Sequence, residues 1–176
     1  MIAYIAAGSN IGDRESFLYK ALVMVSENES IVINKISSIY ETASMGNEEQ
    51  NNFLNLVFSC ETSLTPYQLL QELKSIEIKS GRIEREKWSE REIDLDILLY
   101  DTIIINGENI SIPHKEMKNR DFVLLPLMEI NPYLKDPVSN FSWQYFLDRI
   151  EKKYIVGCLK NKFLISENDH LTVKYE

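Results

Sequence analysis

The amino-acid sequence predicts an α+β fold in which helices pack on an antiparallel sheet. Three observations support this prediction: strand-like runs with alternating apolar residues, helical runs with apolar residues three and four positions apart, and a β-α-β-β-α-β order along the chain. That order is typical of a two-layer sandwich of the ferredoxin-like type. The chain has 176 residues, 44% of them hydrophobic, which is enough for one domain with its own core. We therefore expect a ferredoxin-like βαββαβ two-layer sandwich, with an added hairpin and a C-terminal helix.

The first half of this unit begins with an apolar strand at residues 2–7, which ends at the turn sequence Gly8-Ser9-Asn10. From Asp13 onward, apolar residues recur three and four positions apart and predict a helix. Residues 31–40 alternate in character and predict a strand with one irregularity. A polar segment without a period follows at 42–52, and segments of this kind inside a compact domain are usually functional loops or disordered.

The second half begins with another strand at residues 53–61. Thr65 and Gln68 have the spacing of a capping box, and Pro66 stands at the first helical position, so a helix is predicted to begin there. Gly81 is placed to end that helix. A charged, aperiodic loop and the last strand of the unit follow at 82–92 and 93–100.

A hairpin and two helices are predicted after this unit. Residues 102–112 favour a hairpin around Asn106-Gly107. Asn119 is placed to cap a helix that reaches Glu129. The amphipathic pattern of residues 141–153 predicts the C-terminal helix.

We expect one domain at residues 1–153 and a C-terminal extension at 154–176. Alternation in the extension predicts a pair of strands with a turn at Glu167-Asn168-Asp169. Such a hairpin would either cover a sheet edge or contact a second copy of the chain. We expect it to pack on the same domain.

The composition excludes several classes of protein. The net charge is −8, from 27 acids and 19 bases, which argues against a general nucleic-acid-binding protein. No apolar run approaches 18 residues, so no membrane span is expected. The N-terminus lacks the basic segment and long apolar core of a signal peptide, and the two cysteines are far apart in the chain. We expect a cytoplasmic protein with reduced thiols.

Two acidic residues on the last predicted strand form a candidate metal site. Side chains alternate between the faces of a strand, so Asp94 and Asp96 point one way and Leu95 points the other. Two carboxylates about 6–7 Å apart repel each other unless water or a cation separates them. Mg²⁺ prefers oxygen ligands and keeps positions open for phosphate. The alternative interpretation is two exposed acids on the solvent face of an edge strand.

Two cationic clusters lie near this acid pair in the sequence. The loop at 81–91 contains four cations and a tryptophan, and arginine binds phosphate oxygens in pairs. A solvated loop with internal ion pairs is the alternative there. In the segment 112–120, three residues follow a predicted strand and together predict an anion-binding site: His114, Lys115 and Arg120. The chain lacks both GxxxxGK[ST] and GxGxxG, so a nucleotide, if one binds, would not be held by a glycine-rich loop.

Three more residues could bind a flat heterocycle. The rings of Phe53 and Phe122 could stack on its two faces, and the amide of Asn55 could donate to and accept from its edge. Taken singly, these residues are equally typical of a protein core.

Together, and in this order and spacing, the segments resemble the 6-hydroxymethyl-7,8-dihydropterin pyrophosphokinases of folate biosynthesis. The resemblance extends to about residue 150 and rests on AYIAAGSNIGDR, SSIYET, FLNLVFSCETSLTPYQLL, IEIKSGR, REIDLDILLYD and IPHKEMKNRDFVLLPLMEI. It implies the ferredoxin-like sandwich and the transfer of the β,γ-diphosphate of ATP to the hydroxymethyl oxygen of the pterin, which leaves AMP. It also implies two Mg²⁺ ions as cofactors.

The resemblance implies a role for each matching residue. Asp94 and Asp96 match the two metal ligands, and Arg82 and Arg91 match loop arginines that engage phosphates during catalysis. The residues implied on the pterin side are Thr42, Ala43, Met45, Phe53, Asn55 and Phe122. The residues implied on the ATP side are Lys74, Glu77, Arg85, Lys87, Trp88, Arg91, Ile97, Ser111, His114, Lys115 and Arg120. The loops at 42–52 and 82–91 match loops that close over the substrates.

The sequence departs from the family pattern at several positions. Glu84 stands where a second arginine is usual, Ser89-Glu90 replaces a Gly-Pro pair, and Lys115 replaces an aromatic residue. A glutamate at position 84 would weaken ATP binding unless Arg85 takes its place. We therefore expect a working enzyme with an altered nucleotide site.

The expected partners are ATP and the pterin, without nucleic acid or membrane, and the chain would be a monomer or a weak homodimer. Two alternatives stay open on the sequence. A Mg²⁺-dependent nucleotidyltransferase would release diphosphate instead of AMP, and a non-catalytic homologue acting as a binding module would consume no ATP.

Overall fold

The computed structural model describes residues 1–44, 50–86 and 89–159, and the backbone of 163–165 and 171–173. The α-helices in these ranges are α1 (Arg14–Ser26), α2 (Pro66–Lys79), α3 (Asp121–Ile130) and α4 (Trp143–Leu147). The strands are β1 (Ile2–Ser9), β2 (Ile31–Ile36), β3 (Ile39–Thr42), β4 (Phe53–Thr62), β5 (Asp94–Tyr100), β6 (Ile105–Asn106), β7 (Ser111–Ile112), β8 (Ile155–Leu159), β9 (Phe163–Ile165) and β10 (Leu171–Val173). Within the described part of the chain, no helix has both the length and the apolar content needed to span a bilayer.

The main sheet is antiparallel and has the strand order β5-β1-β4-β3-β8, with β2 paired to β4 next to β3. The strands β2 and β3 occupy the stretch that the sequence assigned to one irregular strand. The break between them lies at Ser37, whose N–H donates to Val57 O at 2.9 Å and whose Oγ accepts from Val57 N–H at 3.0 Å. The ferredoxin-like prediction is confirmed, because the order of β5, β1, β4 and β2/β3 is that of a βαββαβ unit.

Each face of the sheet carries its own hydrophobic core. Helices α1 and α2 pack on one face, where Leu22 and Leu73 meet strand residues such as Phe58 and Leu95. Helices α3 and α4 pack on the other face, around the fully buried Trp143. The strands β1 and β4 are therefore covered on both faces, which explains why their burial is nearly continuous.

Both ends of α2 follow from local sequence. Thr65 Oγ accepts from Gln68 N–H and Gln68 Oε1 accepts from Thr65 N–H, so the predicted capping box is present. At the other end, Gly81 adopts φ 107°, which favours glycine. Arg82 N–H then donates to Glu77 O and Gly81 N–H to Ile78 O, which is the Schellman arrangement. The end of α2 thereby turns the chain so that Arg82 lies beside Glu77.

Two predictions for the C-terminal half are wrong in detail. Asn119 does not cap the helix, because it belongs to a 3₁₀ turn (Met117–Asn119) and Arg120 occupies the cap position of α3. The helix predicted at 141–153 is only α4, which begins after Ser142, whose side chain accepts from Tyr145 N–H. After α4 the backbone bonds to the third preceding residue instead of the fourth, so the α-helix does not continue.

The added hairpin is present as β6 and β7, with Gly107 N–H donating to Ile110 O across the turn. In the C-terminal segment, β8 extends the main sheet beside β3, and β9 pairs with β10. The predicted turn at 167–169 lies outside the described residues. The domain boundary at residue 153 stays a prediction.

Candidate active site

The ends of four strands and α3 meet around a cavity of about 140 Å³ on the face of the sheet that carries α3. Antiparallel pairing brings the C-terminal ends of β1 and β3 next to the N-terminal ends of β4 and β5. The predicted site residues that line this cavity are Thr42, Ala43, Phe53, Asn55, Arg91, Asp94, Asp96, His114, Arg120 and Phe122. The sheet therefore gathers residues that are up to 80 positions apart in the chain.

A second cavity of about 320 Å³ lies between α2, β5 and the β6–β7 hairpin. Its lining includes four further residues of the predicted ATP side: Lys74, Ile97, Ser111 and Lys115. Asp96 and His114 line both cavities. The two cavities therefore meet at the second aspartate of the acid pair.

Small residues of β1 form the floor of the first cavity. Gly8 pairs with Asn55 on one side and with Asp94 on the other. A Cβ atom at Gly8 would lie 2.7 Å from Asn55 Oδ1, so any larger residue would displace the Asn55 amide. Asn55 is buried, and its Nδ2 donates to Thr42 Oγ1 at 2.8 Å. This bond orients the amide at the edge of the cavity.

The alternation predicted for β5 is confirmed in the structure. Leu95 is fully buried in the core below the sheet, while Asp94 and Asp96 face the cavity. In the sheet register, Asp94 pairs with Gly8 and Asp96 with Ala6, so no bulky side chain separates the carboxylates from the cavity. The two acids are therefore not on an open solvent face.

Three acids and three bases form one network around the start of β5. Its members are Glu77, Asp94, Asp96, Lys74, Arg82 and Arg91. The Nη1 atoms of Arg82 and Arg91 lie 2.7 and 2.6 Å from the two carboxylate oxygens of Asp94. Lys74 Nζ lies 3.8 Å from Asp94 and 3.7 Å from Asp96. The six formal charges sum to zero.

This network favours the charged forms of Asp94 and Lys74, whereas burial raises the pKa of Glu77. Burial alone would raise the pKa of Asp94, but Lys74 and the two arginines outweigh it and lower that pKa. Burial also opposes the charged form of Lys74, yet the carboxylates of Asp96 and Glu77 raise its pKa. Glu77 itself is 2% exposed and lies behind the cavity, where it accepts from Leu95 N–H at 2.6 Å. From this position Glu77 forms salt bridges with Lys74 and Arg82 and orients them.

Asn10 is a residue of this site that the sequence analysis treated only as part of a turn. It is fully buried, its N–H donates to Arg91 O at 3.0 Å, and its Oδ1 accepts from Arg91 N–H at 2.7 Å. These bonds join the end of β1 to Arg91, which forms a salt bridge with Asp94. A buried Asn directly after a strand is the signal that could have identified it.

His114 stands at the junction of the two cavities. Its backbone N–H donates to Leu98 O, and its Nδ1 accepts from Glu116 N–H at 3.2 Å. The neutral ring therefore carries its proton on Nε2. Burial is the main cause of a pKa below the ordinary histidine value.

Some predicted residues are not brought into this arrangement. Arg85 lies against Glu92, with Nη2 2.5 Å from Oε1 and Nη1 2.9 Å from Oε2. That pair lowers the pKa of Glu92 to about 2, chiefly through the hydrogen bonds from the guanidinium. Met45, Lys87 and Trp88 lie outside the described residues, so the structure gives them no location.

The donor set at the acid pair fits Mg²⁺. In the described ranges, no group of three or more His, Cys, Asp or Glu side chains is arranged around a common metal position. Asp94 and Asp96 therefore offer carboxylate oxygens from two residues, which leaves the other positions of an octahedral ion to phosphate oxygens and water. The cations that now contact Asp94 would have to move aside for such an ion.

Comparisons with known proteins agree on one family. The family model described as 7,8-dihydro-6-hydroxymethylpterin-pyrophosphokinase (HPPK) matches residues 4–132. The 2-amino-4-hydroxy-6-hydroxymethyldihydropteridine pyrophosphokinase of Aquifex aeolicus is 44% identical over 135 residues, which cover 77% of this chain and 83% of the relative. The enzyme of the same name from Bacillus subtilis is 46% identical over 129 residues, which cover 73% of this chain and 77% of the relative.

Solved structures resemble the chain at the level of the fold. The crystal structure of wild-type Plasmodium falciparum HPPK-DHPS with pteroate has a TM-score of 0.67 and 18% identity, over 84% of this chain and 42% of that chain. The wild-type structure with pterin and p-hydroxybenzoate has a TM-score of 0.65 and 20% identity, over 84% and 41% of the two chains. This chain thus spans less than half of those longer proteins.

Proposed function

The chain belongs to the 7,8-dihydro-6-hydroxymethylpterin-pyrophosphokinase family, and from this membership we propose the roles of its two cavities in diphosphate transfer. The reaction moves the β,γ-diphosphate of ATP to the hydroxymethyl oxygen of 6-hydroxymethyl-7,8-dihydropterin, with AMP as the second product, in folate biosynthesis. The observation that carries the assignment of sites is the pair of cavities that meet at Asp96 and His114. Two substrates bound there would have their reacting ends at the same place.

The pterin binds in the first cavity. Phe53 and Phe122 offer ring faces to a flat bicyclic ligand, and Asn55 offers both a donor and an acceptor to its edge. Thr42 orients Asn55 through the 2.8 Å hydrogen bond, and Ala43 lines the same wall. The family resemblance adds Met45 to this set. The hydroxymethyl group then points along the cavity toward Asp96.

ATP binds in the second cavity, with its phosphates toward the first. Lys74, Lys115 and Ser111 line this cavity and can donate to phosphate or ribose oxygens, and Ile97 offers an apolar surface. At the junction, His114 can donate from Nε2. Arg120 lines the first cavity with its Nε buried and without a partner among the described residues, which suits an anionic ligand. The resemblance adds Arg85, Lys87 and Trp88 on this side.

Asp94 and Asp96 hold two Mg²⁺ ions in this proposal. When bound, the ions neutralise phosphate charge and align the attacking and leaving oxygens. The charge at the site supports two ions, because six side chains of zero net charge would accept two Mg²⁺ and one ATP without a change in total charge. Asp94 would exchange its contacts with Arg82 and Arg91 for the ions, and Asp96 faces both substrates.

The remaining side chains position groups and stabilise charge. Arg82 and Arg91 are already directed at the acid pair, by the end of α2 and by Asn10 respectively. Their guanidinium groups can move from Asp94 to the phosphates that are transferred. There the planar groups would donate to pairs of phosphate oxygens. Phosphoryl transfer asks for little covalent work from side chains, so no general base is assigned.

We further propose that the chain acts in the cytoplasm as a monomer or a weak homodimer, and that its partners are small molecules and not nucleic acid or membrane. The acidic balance of the sequence supports the exclusion of nucleic acid.

A product analysis tests the function. The protein is incubated with ATP, Mg²⁺ and 6-hydroxymethyl-7,8-dihydropterin, and the mixture is chromatographed for AMP and the pterin diphosphate. The expected result is equal amounts of the two products, and Asp96→Ala should fall to background. Release of inorganic diphosphate instead of AMP would indicate nucleotidyl transfer. Absence of ATP consumption would indicate a binding module.

A further inference from the structure

A short C-terminal segment touches two walls of the first cavity. We call it the C-terminal brace and define it as Tyr154 and Ile155, the residues that lead into and begin β8. The carbonyl oxygen of Tyr154 accepts from Ala43 N–H at 2.9 Å. Ile155 pairs with Thr42 in the sheet. The brace is thereby bonded to the end of β3, where the segment at 42–52 begins.

The same two residues are also tied to the start of α3. Asp121 Oδ2 accepts from Tyr154 N–H at 2.9 Å and from Ile155 N–H at 3.1 Å. Its Oδ1 accepts from Phe122 N–H at 3.0 Å. Asp121 is 2% exposed, so this carboxylate is shielded from water and its hydrogen bonds are strong. One buried acid thus joins the brace to the residue that lines the cavity.

The side chain of Tyr154 supports Phe122 directly. The two rings are perpendicular, with centroids 6.2 Å apart, which is a favourable edge-to-face geometry. Phe122 lines the cavity, while Tyr154 is half-buried behind it. Lys152 Nζ lies 5.1 Å from the centroid of the Tyr154 ring, so the ring is held from the solvent side as well.

We infer that the C-terminal brace is a positioning element that sets the width of the first cavity between Phe53 and Phe122. It holds Thr42, the last residue of β3, and Ala43, which follows it, at a fixed distance from the start of α3, which carries Phe122. Because Phe53 pairs with Thr42 in the sheet, the brace also fixes the separation of the two aromatic walls. This inference rests on the proposed assignment of the pterin to the first cavity.

The brace lies beyond the residues that define the family. The family model ends at residue 132, and the brace begins 22 positions later (154 − 132). Tyr154 acts through Phe122 and Ala43 and not by touching substrate, so its loss should weaken pterin binding and leave ATP binding unchanged. The second cavity shares none of these contacts. A general loss of stability would instead affect both substrates.

A comparison of Tyr154→Leu with Tyr154→Phe in the full chain tests this inference. For Tyr154→Leu we expect the KM for the pterin to rise about 3- to 10-fold, the effect of one edge-to-face ring pair on an equilibrium constant. The KM for ATP should stay within about two-fold of wild type. Tyr154→Phe keeps the ring and should behave as wild type. Direct titration of the fluorescent pterin should give the same ranking as the KM values.

Tyr145→Leu is the matched control. Tyr145 also stands edge-to-face to a phenylalanine, Phe146, with centroids 5.3 Å apart, but on α4 outside both cavity linings. It should leave the pterin KM unchanged. The inference is overturned by an unchanged pterin KM in Tyr154→Leu, by equal rises for both substrates, or by the same rise in Tyr145→Leu.

A second variant decides the matter if Tyr154→Leu does not fold. Asp121→Asn keeps the side-chain volume but replaces one carboxylate oxygen with an amide NH₂ group, so the side chain can no longer accept from both the brace and Phe122. It should raise the pterin KM in the same selective way, and an unchanged KM would contradict the inference. If wild type forms no AMP, the proposed function fails, yet selective weakening of pterin binding by Tyr154→Leu would still support the brace.

Discussion

At the scale of single residues, the two aspartates of β5 face the same cavity but have different surroundings. Asp94 accepts from both Arg82 and Arg91, and its side chain is 21% exposed. Asp96 is 3.7 Å from Lys74 and its side chain is 34% exposed. Asp94 therefore has a structural task in the substrate-free protein that Asp96 lacks.

This difference predicts unequal effects of two isosteric substitutions. Asp94→Asn and Asp96→Asn should each lower the rate of AMP formation by about 10³-fold, because each removes a proposed metal ligand. Only Asp94→Asn should also lower the free energy of unfolding, by about 1–3 kcal/mol, since it replaces the charged acceptor shared by Arg82 and Arg91 with a neutral amide. Asp96→Asn should stay within about 0.5 kcal/mol of wild type. Urea unfolding measures this, and equal stability of the two variants would contradict the prediction.

The family resemblance implies a cation at the position of Glu84, and Arg85 beside it is bound to Glu92. We therefore expect Glu84→Arg to tighten ATP binding, measured by titration calorimetry. The gain should be several-fold at most, because exposed charges contribute about 0–1 kcal/mol. Glu84→Gln removes only the negative charge. Comparison of the two variants therefore distinguishes the loss of repulsion between Glu84 and the phosphates from a new contact made by the arginine. An unchanged ATP affinity in Glu84→Arg would argue that Arg85 already fills the role.

The pair of Glu92 and Arg85 predicts an acid-dependent stability. Hydrogen bonds from Arg85 lower the pKa of Glu92 from 4.5 to about 2 in the folded chain. A lowered pKa stabilises the fold above the unfolded value, so this contribution is complete above about pH 4.5 and is lost as the pH falls toward 2. Glu92→Gln should therefore be less stable than wild type at pH 7, and the difference should shrink between pH 4.5 and pH 2.

Denaturant unfolding at several pH values measures this difference. The exposed Glu151→Gln serves as a control and should give no pH-dependent difference. If the stability deficit of Glu92→Gln stays constant from pH 7 to pH 3, the ion pair with Arg85 does not lower the pKa of Glu92.

At the scale of elements, α2 connects the core to the site. Leu69, Leu73 and Ile76 are buried on one side of the helix, while Lys74 and Glu77 extend from it toward the aspartates. The capping box and the Schellman end both come from residues within four positions of the helix termini, so the sequence predicts them well. The placement of Lys74 and Glu77 depends on how the helix packs against β5.

Two truncations on α2 separate packing from exposure. Leu73→Ala should lower the free energy of unfolding by about 2–5 kcal/mol, because it removes a fully buried side chain from the core. Ile78→Ala, at a position that is 70% exposed, should change it by less than about 0.5 kcal/mol. Urea unfolding of both variants gives the comparison. Similar decreases in the free energy of unfolding for both variants would contradict the packing of α2 against the sheet through Leu73.

Local patterns were weaker guides in the C-terminal half. The apolar spacing of residues 141–153 predicted a long helix, yet the α-helix covers only Trp143–Leu147. Amphipathic spacing indicates which residues can face a core but not where backbone bonding changes from the fourth to the third preceding residue. At Asn119, a good capping residue precedes the helix by two positions and is used in a 3₁₀ turn instead.

At the scale of the whole molecule, the balance of charge around β5 predicts that metal and nucleotide bind together. The network of three acids and three bases is neutral, so Mg²⁺ alone would leave an uncompensated positive charge and ATP alone a negative one. Titration calorimetry with a non-hydrolysable ATP analogue should show Mg²⁺ binding at least about 10-fold tighter with the nucleotide than without it.

By linkage, the nucleotide should bind tighter by the same factor when Mg²⁺ is present. Asp96→Asn provides the control, since it should reduce this coupling without removing the nucleotide cavity. Equal Mg²⁺ affinity with and without the analogue would contradict a shared site.

The sequence by itself determined most of the elements, the βαββαβ order, the shared face of Asp94 and Asp96 on β5, and the family. These depend on strand alternation, on caps within a few residues and on segments in a specific order. Only the tertiary structure decided that Asp96 and His114 lie between two cavities, that Asn10 holds Arg91, that Arg85 is bound to Glu92 and that Tyr154 supports Phe122. Such contacts join residues from different elements, and their geometry follows from sheet register and helix packing, which no local pattern encodes.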